Sequence, residues 1–154
     1  MTRAGEGING VLLQKLASLD QVLAELRSLG EVNARILQDD WRIRRAVERD
    51  LQVLVEIVID VCQRLIALAN QSPATSGSEA LERCIQLGAL SRSEAYEKMV
   101  RFRNFIVHRY ERVDLEILAD MVNRRLPDFE RFRSEILSYV QGKSPGAGRF
   151  SNGG

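Results

Sequence analysis

The chain is poor in the residues that anchor metal sites and covalent frameworks. In 154 residues there is one histidine, His108, and there are two cysteines, Cys62 and Cys84. Neither cysteine has a neighbouring Cys or His at metal-ligand spacing, which excludes a zinc-finger reading and suits unpaired thiols in a reducing cytoplasm. Only three prolines interrupt the sequence, so long stretches are free to be helical. Charge of one sign is also missing. Lys and Arg total 22 against 21 Asp and Glu, so no general attraction to polyanions exists and nucleic-acid binding must come from a local patch. Residues 1–10 lack an apolar signal-peptide core. The most apolar run, Leu51 to Leu68, is broken by Glu56, Asp60 and Arg64, so neither a signal peptide nor a membrane span is expected.

What is present reads as one all-α domain, a size that buries a core without disulfides or metal. Met1 to Gly10 carries three glycines and no periodicity and is expected to be a flexible lead-in, with the helical domain spanning 11–141 and a flexible tail over 142–154. Leu12, Leu16, Leu19, Leu23 and Leu26 alternate steps of four and three, a narrow stripe on a first helix that Gly30 stops. A second pattern begins within Glu31 to Asp40 and runs to about Asn70. Its second half is apolar over most of the circumference, with a thin polar stripe through Gln52, Glu56, Asp60 and Gln63. Such a helix is central to its own bundle or shared with a second chain, and this motivates an expected homodimer.

Asn70 to Ser78 is a loop by composition, Glu79 to Leu87 a short helix ended by Gly88, and Ser91 with Glu94 a capping box that opens the next helix. Met99, Phe102, Phe105 and Ile106 give that helix its apolar face. Asp114 is placed to cap a last helix reaching Gln141, broken or kinked at Pro127. The expected architecture is a bundle of about five helices.

The chemistry concentrates in Arg103-Asn104-Phe105-Ile106-Val107-His108-Arg109-Tyr110. Five cations (Lys98, Arg101, Arg103, Arg109, Arg112) against one acid, Glu111, supply the local basic patch that the overall balance lacks. On an ideal helix Arg103 and His108 lie about 140° apart. One straight helix therefore does not aim both at one phosphate: either it unwinds before His108 or two chains converge. The residues alone leave two readings open. His108 caps carbonyls, Arg103 pairs with an acid and Tyr110 packs; or the segment is a phosphate-handling site. Arg101 and Arg109 are candidate backbone-phosphate contacts or part of a solvated basic face. Glu56 and Asp60 either position the motif or form a polar stripe meeting arginines of another helix. Trp41 and Cys62 read as core or interface residues.

The pattern Arg103-Asn104-x-x-x-His108-x-Tyr110, followed by Val113-Asp114, resembles the signature of the HepT-like toxins, a branch of the HEPN superfamily of helical ribonucleases. Arg45-Ala46-Val47-Glu48-Arg49-Asp50-Leu51-Gln52 and Leu126-Pro127-Asp128-Phe129 are similar to that family too. The resemblance implies a homodimer whose two motif segments face each other in a cleft, and a metal-independent endoribonuclease with no cofactor. His108 is then the acid/base, with a pKa suited to both roles near neutrality. Arg103 stabilises the charge building on phosphorus, and Asn104 holds the phosphate or the imidazole. It further implies an MNT-type nucleotidyltransferase antitoxin that transfers AMP to Tyr110. The alternative is a HEPN-fold binding subunit without activity, which holds that partner or a nucleotide.

Overall fold

Residues 41–68 form the axis on which everything else is laid. The computed structural model describes residues 2–107 and 114–142, which form seven helices and no strand. The axial helix, α3 (Trp41–Leu68), is met by α1 (Thr2–Ser28), α2 (Ala34–Asp39), α4 (Gly77–Gln86), α5 (Glu94–Val107) and α6 (Leu115–Arg124), while α7 (Leu126–Val140) packs on α1, α5 and α6. Leu51, Leu54, Val55, Val58, Val61, Cys62 and Ile66 are wholly inaccessible to solvent. One chain thus covers most of the apolar circumference of α3, leaving Val53 and Ile59 half-buried and Leu68 exposed. Burying apolar area on several sides of one helix is the main driving term for the bundle.

The break before α3 has a local cause. Asp40 donates its own amide to the Ile36 carbonyl and so ends α2, while its carboxylate accepts from the amides of Arg42 (3.0 Å) and Ile43 (3.3 Å) and so begins α3. Asn33 caps α2 by accepting from the Ile36 amide at 2.8 Å. These two caps resolve the Glu31 to Asp40 stretch, whose ownership periodicity does not decide.

The leucine stripe of α1 is fully inside, and the helix ends at Ser28, with Gly30 at φ +71°. At its other end the helix continues back to Thr2, through the stretch expected as a flexible lead-in. Extending an existing helix is far cheaper than nucleating one, and each glycine costs only about 1 kcal/mol, with no proline in the way. Residues 143–154, expected as a tail, lie outside the described residues.

Asn70 to Ala74 is pinned by a two-bond clamp: Gln63 donates to the Ala74 carbonyl and accepts from its amide, both at 2.9 Å. Helix α4 then starts at Gly77, two residues earlier than expected, with Ser76 as cap. A Cβ at Gly77 would stand 3.0 Å from both Ile59 and Val100, so this glycine lets α3 and α5 close around the start of α4. Asp114 caps α6 through the Glu116 amide at 2.9 Å, as the sequence predicts. The last helix is two helices, because Pro127 lies in the first turn of α7, where its missing amide costs nothing. Together with the Asp40 break this gives seven helices where about five are expected. Cys62 and Cys84 are free and buried, the Cys84 thiol donating to the Cys62 carbonyl at 3.5 Å. Among the described residues no helix is long and apolar enough to cross a membrane.

Glu79 ties the loop to α4. Its carboxylate accepts from the Thr75 amide (2.5 Å) and hydroxyl (2.8 Å) and pairs with Arg83 (2.7 Å), and these bonds, the Thr75 amide foremost, hold its pKa at about 2 instead of 4.5. Since the folded value is depressed, the stabilisation is present above about pH 4.5 and is lost as pH falls towards 2. Thermal melts of Glu79→Gln should show a lower Tm than the parent at pH 7, with the gap narrowing below pH 4.5; a gap independent of pH would refute this linkage.

Candidate active site

Helix α5 carries the motif, and its start differs from the sequence expectation. Ser91 does not cap it. Its amide and hydroxyl both donate to Glu135 on α7 (2.6 and 3.0 Å), and Ser93 caps in its place, accepting from the Ala95 amide at 3.2 Å. A long-range carboxylate has captured the serine that the local spacing assigned to the helix end. Glu94 and Glu97 remain in the first turn, where the helix dipole favours anions.

Glu135 also accepts from the Tyr96 hydroxyl at 2.7 Å and from Arg131 Nε at 3.1 Å. Arg131 lies over the Tyr96 ring at 5.8 Å and reaches Ser91, and Phe132 meets the same ring edge-on. Burial, then the Glu135 carboxylate, pushes the Tyr96 hydroxyl well above its ordinary range. The first turn of α5 is thereby locked to α7. Urea denaturation should find Tyr96→Phe less stable by about 1–3 kcal/mol, the value of a buried hydrogen bond to a charged acceptor; no loss would show the bond to be idle.

From this anchor the inner stripe of α5 runs through Tyr96, Met99 and Val100, all buried, to Arg103. Arg103 is half-buried, and its Nε is shielded from solvent with no hydrogen-bond partner. Among the described residues no carboxylate lies within ion-pair distance of it. Asn104, next in the chain, is exposed. Arg101 is exposed too, but sits about 200° around the helix from Arg103. Of the basic patch counted along the sequence, the described cations are therefore split between two faces of α5.

Arg101 and Lys98 instead rim a groove between α5 and α6, floored by Phe102, Phe105 and Met121, with a volume of about 520 Å³. The Phe102 and Phe105 rings stack with centroids 6.0 Å apart. Glu116, Ile117, Asp120 and Arg125 form the opposite wall, Asp120 being engaged by Arg125 at 3.5 Å. Sequence reasoning did not find this groove. The signal was there: Lys98, Arg101, Phe102 and Phe105 follow i, i+3, i+4, i+7 and so share one helical face.

His108, Arg109, Tyr110 and Val113 lie outside the described residues, as do Glu111 and Arg112; so does the question of whether the helix unwinds before His108. Glu56 accepts from Gln52 at 3.0 Å and Asp60 pairs with Lys15 at 3.1 Å. The polar stripe of α3 thus meets a glutamine of its own helix and a lysine of α1, in place of the arginines expected. Glu48, unremarked in the sequence, is a buried carboxylate with Arg44 at 3.6 Å. Among the described residues no group of three or more His, Cys, Asp or Glu stands ready for a metal ion.

The family model described as "Ribonuclease HepT-like" matches residues 19–136. The chain is similar to an mRNA nuclease HepT of Shewanella oneidensis, 24% identical over 127 residues, covering 81% of this chain and 95% of the relative. Its fold is similar to that of the tri-AMPylated Shewanella oneidensis HEPN toxin in complex with MNT antitoxin, with a TM-score of 0.74 at 22% identity over 83% of this chain and 97% of that one. A toxin–antitoxin crystal structure with AMP-PNP aligns with a TM-score of 0.75 at 21% identity, over 84% of this chain and 98% of that one.

Proposed function

Because the chain belongs to the HepT-like ribonuclease family, we propose that it is the toxin half of a toxin–antitoxin pair, a metal-independent endoribonuclease with Arg103, Asn104 and His108 as its catalytic group. The observation that carries the assignment of Arg103 is its buried, unpartnered Nε on the helix leading into His108. An arginine engaged by a carboxylate would have to give up that partner to meet a substrate; among the described residues this one has none, which leaves a donor for a phosphate oxygen.

In the proposed reaction neutral His108 takes the proton of a ribose 2′-hydroxyl, whose oxygen attacks the adjacent phosphorus. Arg103 stabilises the negative charge that accumulates on the non-bridging oxygens. The bond to the 5′ oxygen breaks, that oxygen takes a proton from imidazolium, and a 2′,3′-cyclic phosphate remains. Asn104, exposed beside Arg103, hydrogen-bonds the phosphate or orients the imidazole. Arg101 lies on the far face of α5 from Arg103 and is assigned to the backbone phosphate of a neighbouring nucleotide, as is Arg109 on sequence position. The active form is a homodimer, in which two motif segments complete one cleft.

The control element is Tyr110. An MNT-type nucleotidyltransferase partner attaches AMP to its hydroxyl, which fills the cleft and sets phosphate charge against the incoming RNA phosphate. Tyr96 offers no competing target, since its hydroxyl is enclosed and committed to Glu135.

Purified protein incubated with RNA in EDTA should cut it to cyclic-phosphate ends, and His108→Ala should lose about 10²-fold or more of that rate. Cleavage that persists in the variant would remove His108 from the mechanism, and an inert parent would favour a binding subunit. Co-expression with the active partner should raise the protein's mass by one or more AMP units. Tyr110→Phe should abolish the increase, and an unchanged parent mass would sink the modification.

A further inference from the structure

We infer that the exposed stripe at the start of α3, Trp41 with Arg42, Arg45 and Arg49, is a second RNA-binding site that holds unpaired strand beyond the nucleotide being cut. The inference rests on the RNA-cleaving reading above. Trp41 is the chain's only tryptophan, read from the sequence as core or interface; it is 60% exposed, the most open of the large apolar side chains among the described residues. The Arg42 guanidinium lies 5.4 Å from its ring centroid. On an α-helix, positions 41, 45, 49 and 42 fall within an arc of about 100°, so the indole and three guanidiniums share one face. All four are exposed.

The acids near this face are occupied elsewhere. Asp39 pairs with Arg35 at 3.8 Å, Asp40 caps α3, and Glu48 is buried beside Arg44. Asp50 is half-buried and shared: burial and Glu25 of α1 raise its carboxyl, and the neighbouring Arg49 charge lowers it by less. Among the described residues Arg42, Arg45 and Arg49 have no carboxylate within ion-pair distance. Three guanidiniums without an ion-pair partner among the described residues rise along the helix at steps of about 4.5 and 6 Å, beside an aromatic face that already holds a planar cation. This combination suits single-stranded nucleic acid: phosphates on the arginines and a base on the indole, with little demand on sequence. An acidic polypeptide would use the charges but not the indole.

The test uses a labelled oligouridylate of about a dozen nucleotides, within the span of single-strand sites, on cleavage-inactive His108→Ala protein. Fluorescence anisotropy gives affinity, and quenching of the single tryptophan gives location. Quenching is expected, with roughly tenfold weaker binding for Trp41→Ala and retention by Trp41→Phe. Replacing Arg42, Arg45 and Arg49 by alanine should reduce the log–log salt slope by about 2. In otherwise unaltered protein the same changes should raise KM for long RNA with kcat kept, and leave cleavage of a dinucleotide unchanged. Long-RNA cleavage with affinity and salt slope untouched in both variants would overturn the second site and leave the proposed function standing. Stripe-dependent binding by a parent that cuts no RNA would do the reverse. Displacement of the RNA by a polyglutamate peptide that quenches Trp41 equally would assign the face to an acidic polypeptide and overturn the inference.

Discussion

The enclosure of α3 is the constraint on which the structure depends. A helix with apolar side chains around most of its circumference must be covered on nearly all sides, and here five helices of the same chain cover it. The positions of α1, α2, α4, α5 and α6 are answers to that requirement. The direction of α5, and with it the place where Arg103 emerges, follows from how α5 lies on α3 beside Gly77.

On this frame the active helix is held unevenly. Its first turn is fastened by Tyr96, Ser91 and Arg131 around Glu135, a network with every partner named and satisfied. Its last described turn is different: Arg103 Nε has no hydrogen-bond partner among the described residues and Asn104 faces solvent. Unsatisfied donors inside a protein are costly, and retaining one on a helix end that leads to the only histidine is intelligible if an anion completes it. Rigid support at one end with open valence at the other is a suitable arrangement for a site that must bind a phosphate and let it go.

Much of the fold was legible in the chain because its signals are local. The leucine stripe of α1, Gly30, the Asp114 cap and the Pro127 break each act within a few residues, and each stands where the sequence puts it. The failures share the opposite cause. Ser91 has the local spacing of a cap, but Glu135, 44 residues away, competes for it and wins. The burial of α3 belongs to how many neighbours the chain folds around it, which periodicity does not count. Trp41 reads as core or interface by residue type, and the core alternative fails because Asp40 starts the helix in a phase that turns the indole outward. For the site, Arg103 and Asn104 are proposed from the spacing to His108 and the family signature, whereas adding up cations along α5 merged Arg101 and Arg103, which point apart.

The pairing of α1 with α7 has a consequence beyond cohesion. Arg27 of α1 meets Glu130 of α7 at 2.5 Å, and Asp20 of α1 meets Arg133 of α7 at 2.8 Å, so the two bridges run in opposite electrical senses. If α7 slid by about one turn, 5.4 Å, Arg27 would face Arg133 and the attraction would become repulsion. The two bridges act as a key for alignment more than as a source of strength. Half-exposed as they are, they add a modest bias to the register that the buried face of α7 sets, and with it to the point at which Glu135 is delivered to α5.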